Sequence, residues 1–307
     1  MSVGVVVNPV AGGGRMRREW PAIAHALTER FGAITIEETQ AAGDACTLAR
    51  KLSLTGATIV IAAGGDGTIS EVVDGLLQAR VESGSVPELG IVPIGTGSDL
   101  ARCLGIGTAA GGIAAQIAEA KPRLIDAGRV DFIDDHGALA SRHFVNITSL
   151  GLSGPAARAI NSAKRGAGAG KGVFLWHTVK EILRYRFQTV RVTVDDQLAF
   201  EGSIALVAIA NGRYFGAGMM IAPDALQDDG LAEIVIVKGT SKFALLRDVR
   251  LVYSGAHRNL DSCVFLRGKR VLVEPVGDPA LIDIDGESPG RIPATIEIMR
   301  QVLPVRC

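Results

Sequence analysis

Ala63-Gly64-Gly65-Asp66-Gly67-Thr68-Ile69-Ser70-Glu71 follows the apolar run Thr58-Ile59-Val60-Ile61-Ala62 and opens an amphipathic stretch from Ile69 to Leu77. The run predicts a buried strand and the stretch after it a helix. A strand that delivers Gly-Gly-Asp-Gly-Thr to a helix N-terminus presents bare backbone N–H groups, the positive end of a helix dipole, a hydroxyl and a carboxylate. Those are the parts that hold a polyphosphate and its magnesium ion. A tight Gly-rich βα turn with no ligand is the plainer reading, so the surrounding stretches must decide.

Outward from that turn, strands are predicted over 3–7, 33–37, 57–62 and 89–93. They alternate with helices over 15–31, 44–54, 69–79 and from about 98. A β-α-β-α series with continuous runs such as Ile59-Val60-Ile61 implies a parallel sheet covered on both faces. Gly-rich turns follow the first, third and fourth strands: Asn8–Gly14, Gly64–Gly67 and Gly95–Gly97. Ligands of such folds bind at the carboxyl ends of the strands, so the three turns should converge. The third, Pro93-Ile94-Gly95-Thr96-Gly97-Ser98-Asp99-Leu100-Ala101-Arg102, is again a strand-to-helix glycine turn, and Arg15 can add charge beside the first. From about Asp126 the texture changes to short alternating segments separated by turn signals such as Asp195-Asp196 and Asp228-Asp229-Gly230. That pattern predicts an antiparallel, sandwich-like second domain, with helices inserted near 175–187 and 242–251. The expected division is 1–125 and 126–307, with the extreme C-terminus free to return to the first domain.

Bulk properties exclude several classes. At 307 residues there is length for two cores, and 32 basic against 32 acidic residues leave no footprint of a nucleic-acid binder. The chain is 48% hydrophobic with mean hydropathy +0.29, yet no apolar run nears the roughly 18 residues of a spanning helix. Met1-Ser2-Val3-Gly4 runs straight into a strand with no basic leader. Cys46, Cys103, Cys263 and Cys307 are scattered and read as reduced thiols of a cytoplasmic protein. The five histidines show no zinc spacing, and Asn146-Ile147-Thr148 carries no weight as a glycosylation sequon without a leader. The patch Lys164–Gly172 reads as a mobile loop. It fails as a Walker A motif, because Arg165 stands where the first glycine belongs and Gly172 replaces the hydroxyl. Gly105-x-Gly107 is no dinucleotide fingerprint, since no strand leads into it.

The three turns together resemble the catalytic domain shared by diacylglycerol, sphingosine and ceramide kinases, above all the soluble bacterial diacylglycerol-kinase-like lipid kinases. The resemblance extends through Asn211-Gly212-Arg213-Tyr214-Phe215-Gly216-Ala217-Gly218-Met219, Ala222-Pro223-Asp224-Ala225-Leu226-Gln227-Asp228-Asp229-Gly230-Leu231 and Asp285-Gly286-Glu287. It implies an α/β N-terminal domain of the NAD-kinase/diacylglycerol-kinase-like type followed by an antiparallel β-sandwich-like domain. It further implies that ATP is lined by Asn8, Pro9, Val10, Ala11, Gly12, Thr39, Gly64, Gly65, Asp66, Gly67, Thr68, Ile69, Ser70 and Thr96. Asp66 would engage the phosphate-bound Mg²⁺, directly or through water, and Asp126 would join the network around the phosphates. Glu287 would be the general base that accepts the proton of the lipid hydroxyl. Asp229, with the carbonyls of Leu226 and Leu231, would hold a second, structural Mg²⁺. Plain readings stay open for two of these: an acidic hairpin turn for Asp283–Glu287 and a metal-free β-turn for Asp228–Gly230.

Two departures stand out. Ser98 replaces an asparagine frequent in the family, and Gly13-Gly14-Arg15 occupies the region where several relatives have a lysine. The predicted helix 175–187 combines Leu175, Trp176, Val179, Ile182 and Leu183 with Lys180, Arg184 and Arg186, which suits either membrane-surface contact or core packing. The expectation is an ATP- and Mg²⁺-dependent kinase that phosphorylates a membrane lipid, diacylglycerol first, and works in the cytoplasm with transient contact at the inner face of the membrane. A homodimer, a ceramide or sphingoid-base acceptor, an NAD kinase and an inactive nucleotide-binding regulator are the alternatives.

Overall fold

Strand β1 (Val3–Val7) is buried at every position, as expected of a strand with helices on both faces of its sheet. The computed structural model describes residues 2–95, 97–107, 110–164 and 180–307. They form two compact units, Met1–Ile125 with Gln301–Cys307, and Asp126–Arg300.

In the first unit β1 pairs in parallel with β2 (Ile34–Glu38) and β3 (Ile59–Gly64), and β3 pairs in parallel with β4 (Glu88–Pro93). The C-terminal end of β14 (Glu287–Arg306) adds the outer strand, with Val305 opposite Leu89. Helices α1 (Arg15–Phe31), α2 (Asp44–Leu54), α3 (Asp66–Ser83), α4 (Asp99–Leu104) and α5 (Ala110–Glu119) follow the strands. Helix α3 is the central one: Thr68 to Leu77 are all buried, with α2 packed against it. It begins at Asp66, three residues before the apolar pattern announces it, because Gly65 is extended and its carbonyl accepts the N–H of Ile69 (3.0 Å). Asp66 therefore occupies the first turn, where a carboxylate is favoured by the dipole.

The second unit is antiparallel, as the alternating segments predict. Its strands are the length of β5 from Asp126 (Pro122–Asp134), β6 (Leu139–Phe144), β7 (Ile147–Gly151), β8 (Gln188–Val194), β9 (Gln197–Ala210), β10 (Ala232–Lys238), β11 (Cys263–Gly268), β12 (Arg270–Pro275), β13 (Leu281–Ile284) and β14 to Arg300. Strand β9 pairs with β8 along its first half and with β7 and β10 along its second. Strand β14 likewise changes partner from β13 to β12. Two strands that change layers enclose one core, in which Val192, Ile204, Ile209, Ile234, Val273, Ile282 and Ile296 are buried. Helices α6 (Ser153–Lys164) and α7 (Lys242–Val252) lie outside it. The length of β14 escapes the sequence reading because Pro293 breaks a pattern that otherwise alternates buried Ile292, Ala294 and Ile296. Of the earlier expectations, Thr96, residues 165–172 of the glycine patch and residues 175–179 of the predicted helix lie outside the described residues; residues 180–184 are helical.

Candidate active site

In the first unit the neighbouring strand ends are tied to one another by short backbone bonds. The N–H of Asn8 reaches the carbonyl of Ala63 (2.9 Å), that of Ile94 reaches Gly64 (2.8 Å), and that of Thr39 reaches Val7 (3.0 Å). Three of the expected ATP-lining segments, at Asn8, Thr39 and Gly64, thus share the carboxyl end of one sheet. Asn8 Nδ2 donates to Thr68 Oγ1 (3.1 Å), and Asn8 Oδ1 accepts from the N–H of Val10 (3.2 Å). Pro9 and Val10 stand at the rim with Val10 well exposed, while Ala11 is buried beneath them. Gly12, Gly13 and Gly14 run consecutively at φ 62°, 67° and 84°, and a Cβ on Gly13 or Gly14 would meet nothing within 4 Å. The backbone there faces open space, which is the form an anion cradle takes.

The second and third turns touch. A Cβ on Gly95 would lie 3.0 Å from the Cα of Gly65, so side chains at this crossing would separate the loops. Asp66 completes the junction: its carboxylate accepts the N–H groups of Ser98 (2.8 Å) and Asp99 (3.0 Å). Gly67, Thr68 and Ile69 continue the first turn of α3, and buried Ser70 Oγ has no hydrogen-bond partner. Glu71, which the sequence reading left without a role, caps α2 by accepting from Gly43 (2.9 Å) and Ala45 (3.1 Å).

Beside the crossing lies a cavity of about 360 Å³ lined by Arg15, Pro93, Gly95, Gly97, Ser98, Arg102 and Ile106. Arg15 pairs with Glu19 one turn on (2.8 Å) and Arg102 with Asp99 (3.2 Å). Two guanidiniums at a cavity edged by glycine backbone fit a polyphosphate. Arg102 escaped the list of candidate residues, although it closes the third turn. Among the described residues no group of three or more His, Cys, Asp or Glu forms a metal cage. A magnesium ion that arrives with nucleotide phosphates needs only one or two carboxylates, and Asp66 and Asp99 are the acids at this junction.

The second unit carries the remaining candidates. Asp285 and Gly286, at φ 49° and 92°, form the two-residue turn between paired Ile284 and Glu287, so the acidic hairpin reading holds for the backbone. The side chains do more. Asp285 accepts the N–H groups of Val145 (3.0 Å), Asn146 (3.1 Å) and Ile147 (2.9 Å), which fixes the hairpin to the start of β7. Glu287 opens β14 half-exposed, and one carboxylate oxygen accepts from Arg142 Nη1 (2.9 Å). Asp283 is buried and accepts the N–H of Gly286 (2.7 Å). Burial pushes Asp283 up to about 8; the Asp285 and Glu287 carboxylates push the same way, and the Gly286 N–H and Arg142 oppose them. Arg142 gave no signal in sequence. Asp283 falls inside the stretch read in sequence as an acidic turn, and no local pattern separates its buried place on β13 from the turn position of Asp285.

Asp126 belongs to the second unit. Its carboxylate accepts the N–H of Gly230 (2.6 Å), its own N–H donates to Gln227 (2.6 Å), and its carbonyl accepts from Asn211 Nδ2 (2.9 Å). It anchors the Asp228-Asp229-Gly230 turn. Asp229, the expected ligand of a second ion, accepts the Leu231 N–H (3.0 Å) and pairs with the Arg267 guanidinium. In this arrangement the Arg267 guanidinium is the cationic partner of Asp229. Leu226 is exposed and Leu231 half-buried.

The parallel α/β unit joined to an antiparallel sandwich is the fold class of NAD kinases and diacylglycerol kinases. Residues 2–130 match the diacylglycerol kinase catalytic domain and residues 146–307 the YegS C-terminal NAD kinase beta sandwich-like domain. The chain belongs to this diacylglycerol-kinase-like family. It is 27% identical to a diacylglycerol kinase of Bacillus subtilis over 94% of this chain and 90% of that protein. A diacylglycerol kinase of Mycobacterium tuberculosis is 28% identical over 97% of this chain and 94% of that one. Among solved structures, a diacylglycerol kinase from Bacillus anthracis superposes with a TM-score of 0.73 at 23% identity, covering 99% and 96% of the two chains. A yeast NADH kinase complexed with NADH shares the fold alone, with a TM-score of 0.52 at 9% identity over 99% of this chain and 82% of that one.

Proposed function

We propose that the chain transfers the γ-phosphoryl group of ATP to the hydroxyl of a membrane lipid, diacylglycerol in the first instance, at the inner face of the membrane. The observation that carries this reading is the Asp-Gly-Glu hairpin. It ends in a carboxylate whose strand, turn and side chain are each fixed, and which is nonetheless half-exposed. Nucleotide-bound Mg²⁺ would neutralise charge on the transferring group; the transition state is loose, so positioning and charge remain the protein's main tasks. The Gly12–Gly14 backbone, Arg15 and Arg102 bind and orient phosphate oxygens, and Asp66 keeps the third turn in place against the second. Glu287 accepts the proton of the acceptor hydroxyl, and Arg142 holds its carboxylate in one orientation.

Labelled ATP with diacylglycerol, ceramide, a sphingoid base and NAD as parallel acceptors tests the reading. Phosphatidic acid is the expected product, and Glu287→Gln should lower kcat by roughly 10²–10⁴ with nucleotide affinity little changed. Transfer to NAD with no lipid product would overturn the lipid reading. Loss of nucleotide binding in Glu287→Gln would reassign that residue.

A further inference from the structure

Helix α7 is unusual among the helices in having no buried residue. Phe243 is 75% exposed, Arg247 and Arg250 are exposed on the same face at i+4 and i+7, and Tyr253 at the helix end is 43% exposed. Its far end is nevertheless rooted. Val252 packs against the cluster of Ile147, Ala208 and Val235, and its carbonyl accepts the N–H of Met220 (3.0 Å). The exposed stripe is thus held on a firm base.

A second segment joins it. Lys242 Nζ donates to the carbonyl of Leu183 (2.6 Å), and Phe187 lies against Gly239, where a Cβ would come within 2.8 Å of its ring. Leu183 is 56% exposed, with Arg184 and Arg186 exposed beside it, while Ile182 and Tyr185 are buried and pin the segment. Each segment carries three basic residues against one acid, Lys180, Arg184 and Arg186 with Glu181, and Lys242, Arg247 and Arg250 with Asp248. Arg247 spends its charge on Asp248 through two bonds of 2.7 Å, while Arg184, Arg186 and Arg250 are exposed. This concentration occurs in a chain whose formal net charge is zero.

We propose that α7 with residues 180–186 is the docking surface for an anionic lipid bilayer. Exposed Phe243, Leu183 and Tyr253 suit the boundary between headgroups and acyl chains, and the guanidiniums suit anionic headgroups. A second copy is a poor occupant, because a two-fold interface would set this basic stripe against itself. The biological sense of the surface rests on the lipid-kinase reading; its physical basis does not.

The test is co-sedimentation of the full chain with vesicles of phosphatidylcholine alone or mixed with phosphatidylglycerol. Binding should require phosphatidylglycerol, weaken with salt, and fall roughly a hundredfold in Phe243→Ser/Arg250→Glu, whose melting temperature should match the parent. Equal binding to neutral and anionic vesicles, or an undiminished variant, overturns the proposal. So does a dimer in sedimentation equilibrium that Phe243→Ser dissociates. A chain that binds vesicles this way but phosphorylates no lipid would keep the surface and sink the kinase reading.

Discussion

At the scale of single residues, acids that look alike in sequence do different work because their surroundings differ. Asp66 and Asp285 bind backbone N–H groups, Glu287 faces a guanidinium, and Asp283 is buried beside two other carboxylates. Asp283 gives the clearest pH signature. Unfolded, an aspartate titrates near 3.9; folded, Asp283 titrates at about 8. Between those values the folded state keeps a proton that the unfolded state has lost. Its contribution to stability is therefore full at low pH and disappears as pH rises through about 8. Asp283→Asn keeps an acceptor for the Gly286 N–H and removes the titration. It should leave stability nearly unchanged at pH 4 and gain on the order of 5 kcal/mol over the parent by pH 9, about 1.4 kcal/mol for each of the roughly four units between the two pKa values. Urea denaturation at the two pH values measures this, and parallel pH profiles for the two proteins would refute it.

At the scale of elements, legibility in sequence followed whether a pattern was local. The βα turns, the parallel first half and the Asp-Gly hairpin were readable because strand period, glycine and helix start lie within a few residues of one another. The partners of the charged side chains were not. Asp229 reads as a cation ligand in sequence, but Arg267, its partner, lies 38 residues away on β11, and no local pattern announces it. Asp126 is similar: its task of fixing Gly230 spans 104 residues. The turn at 228–230 therefore yields a sharp expectation. Asp229→Ala should destabilise the second unit by about 1–3 kcal/mol, the cost of losing a charge-assisted bond at a half-buried site, and by the same amount in Mg²⁺ as in chelator. Thermal melts in both buffers check it. A parent whose melting temperature rises with Mg²⁺, and a variant whose does not, would restore a bound ion to this turn.

At the scale of the whole chain, the first unit is discontinuous: Gln301–Cys307 returns to it after the entire second unit. The sequence left room for that return without locating it, because a seven-residue tail carries little pattern. Its anchor is chemical. Arg306 is 8% exposed, pairs with Glu88 at the start of β4, and donates through Nη1 to the carbonyls of Ile117 (3.0 Å), Ala118 (3.2 Å) and Ala120 (3.3 Å). One guanidinium thus closes the C-terminal end of α5, where unsatisfied carbonyls accumulate and a cation is favoured by the dipole. Arg306→Ala would leave those carbonyls and Glu88 without their partner, with Val305 still paired to Leu89. The expected cost is about 2–4 kcal/mol of first-unit stability. Arg306→Lys should recover only part of it, since an ammonium cannot span a carboxylate and a helix end with the same fork. Hydrogen exchange followed by mass spectrometry locates the loss: protection should fall in residues 88–93 and 110–119 and stay unchanged in β8 and β12. Uniform loss across both units would mean that Arg306 stabilises the chain as a whole and that the first unit has no separate stability to lose.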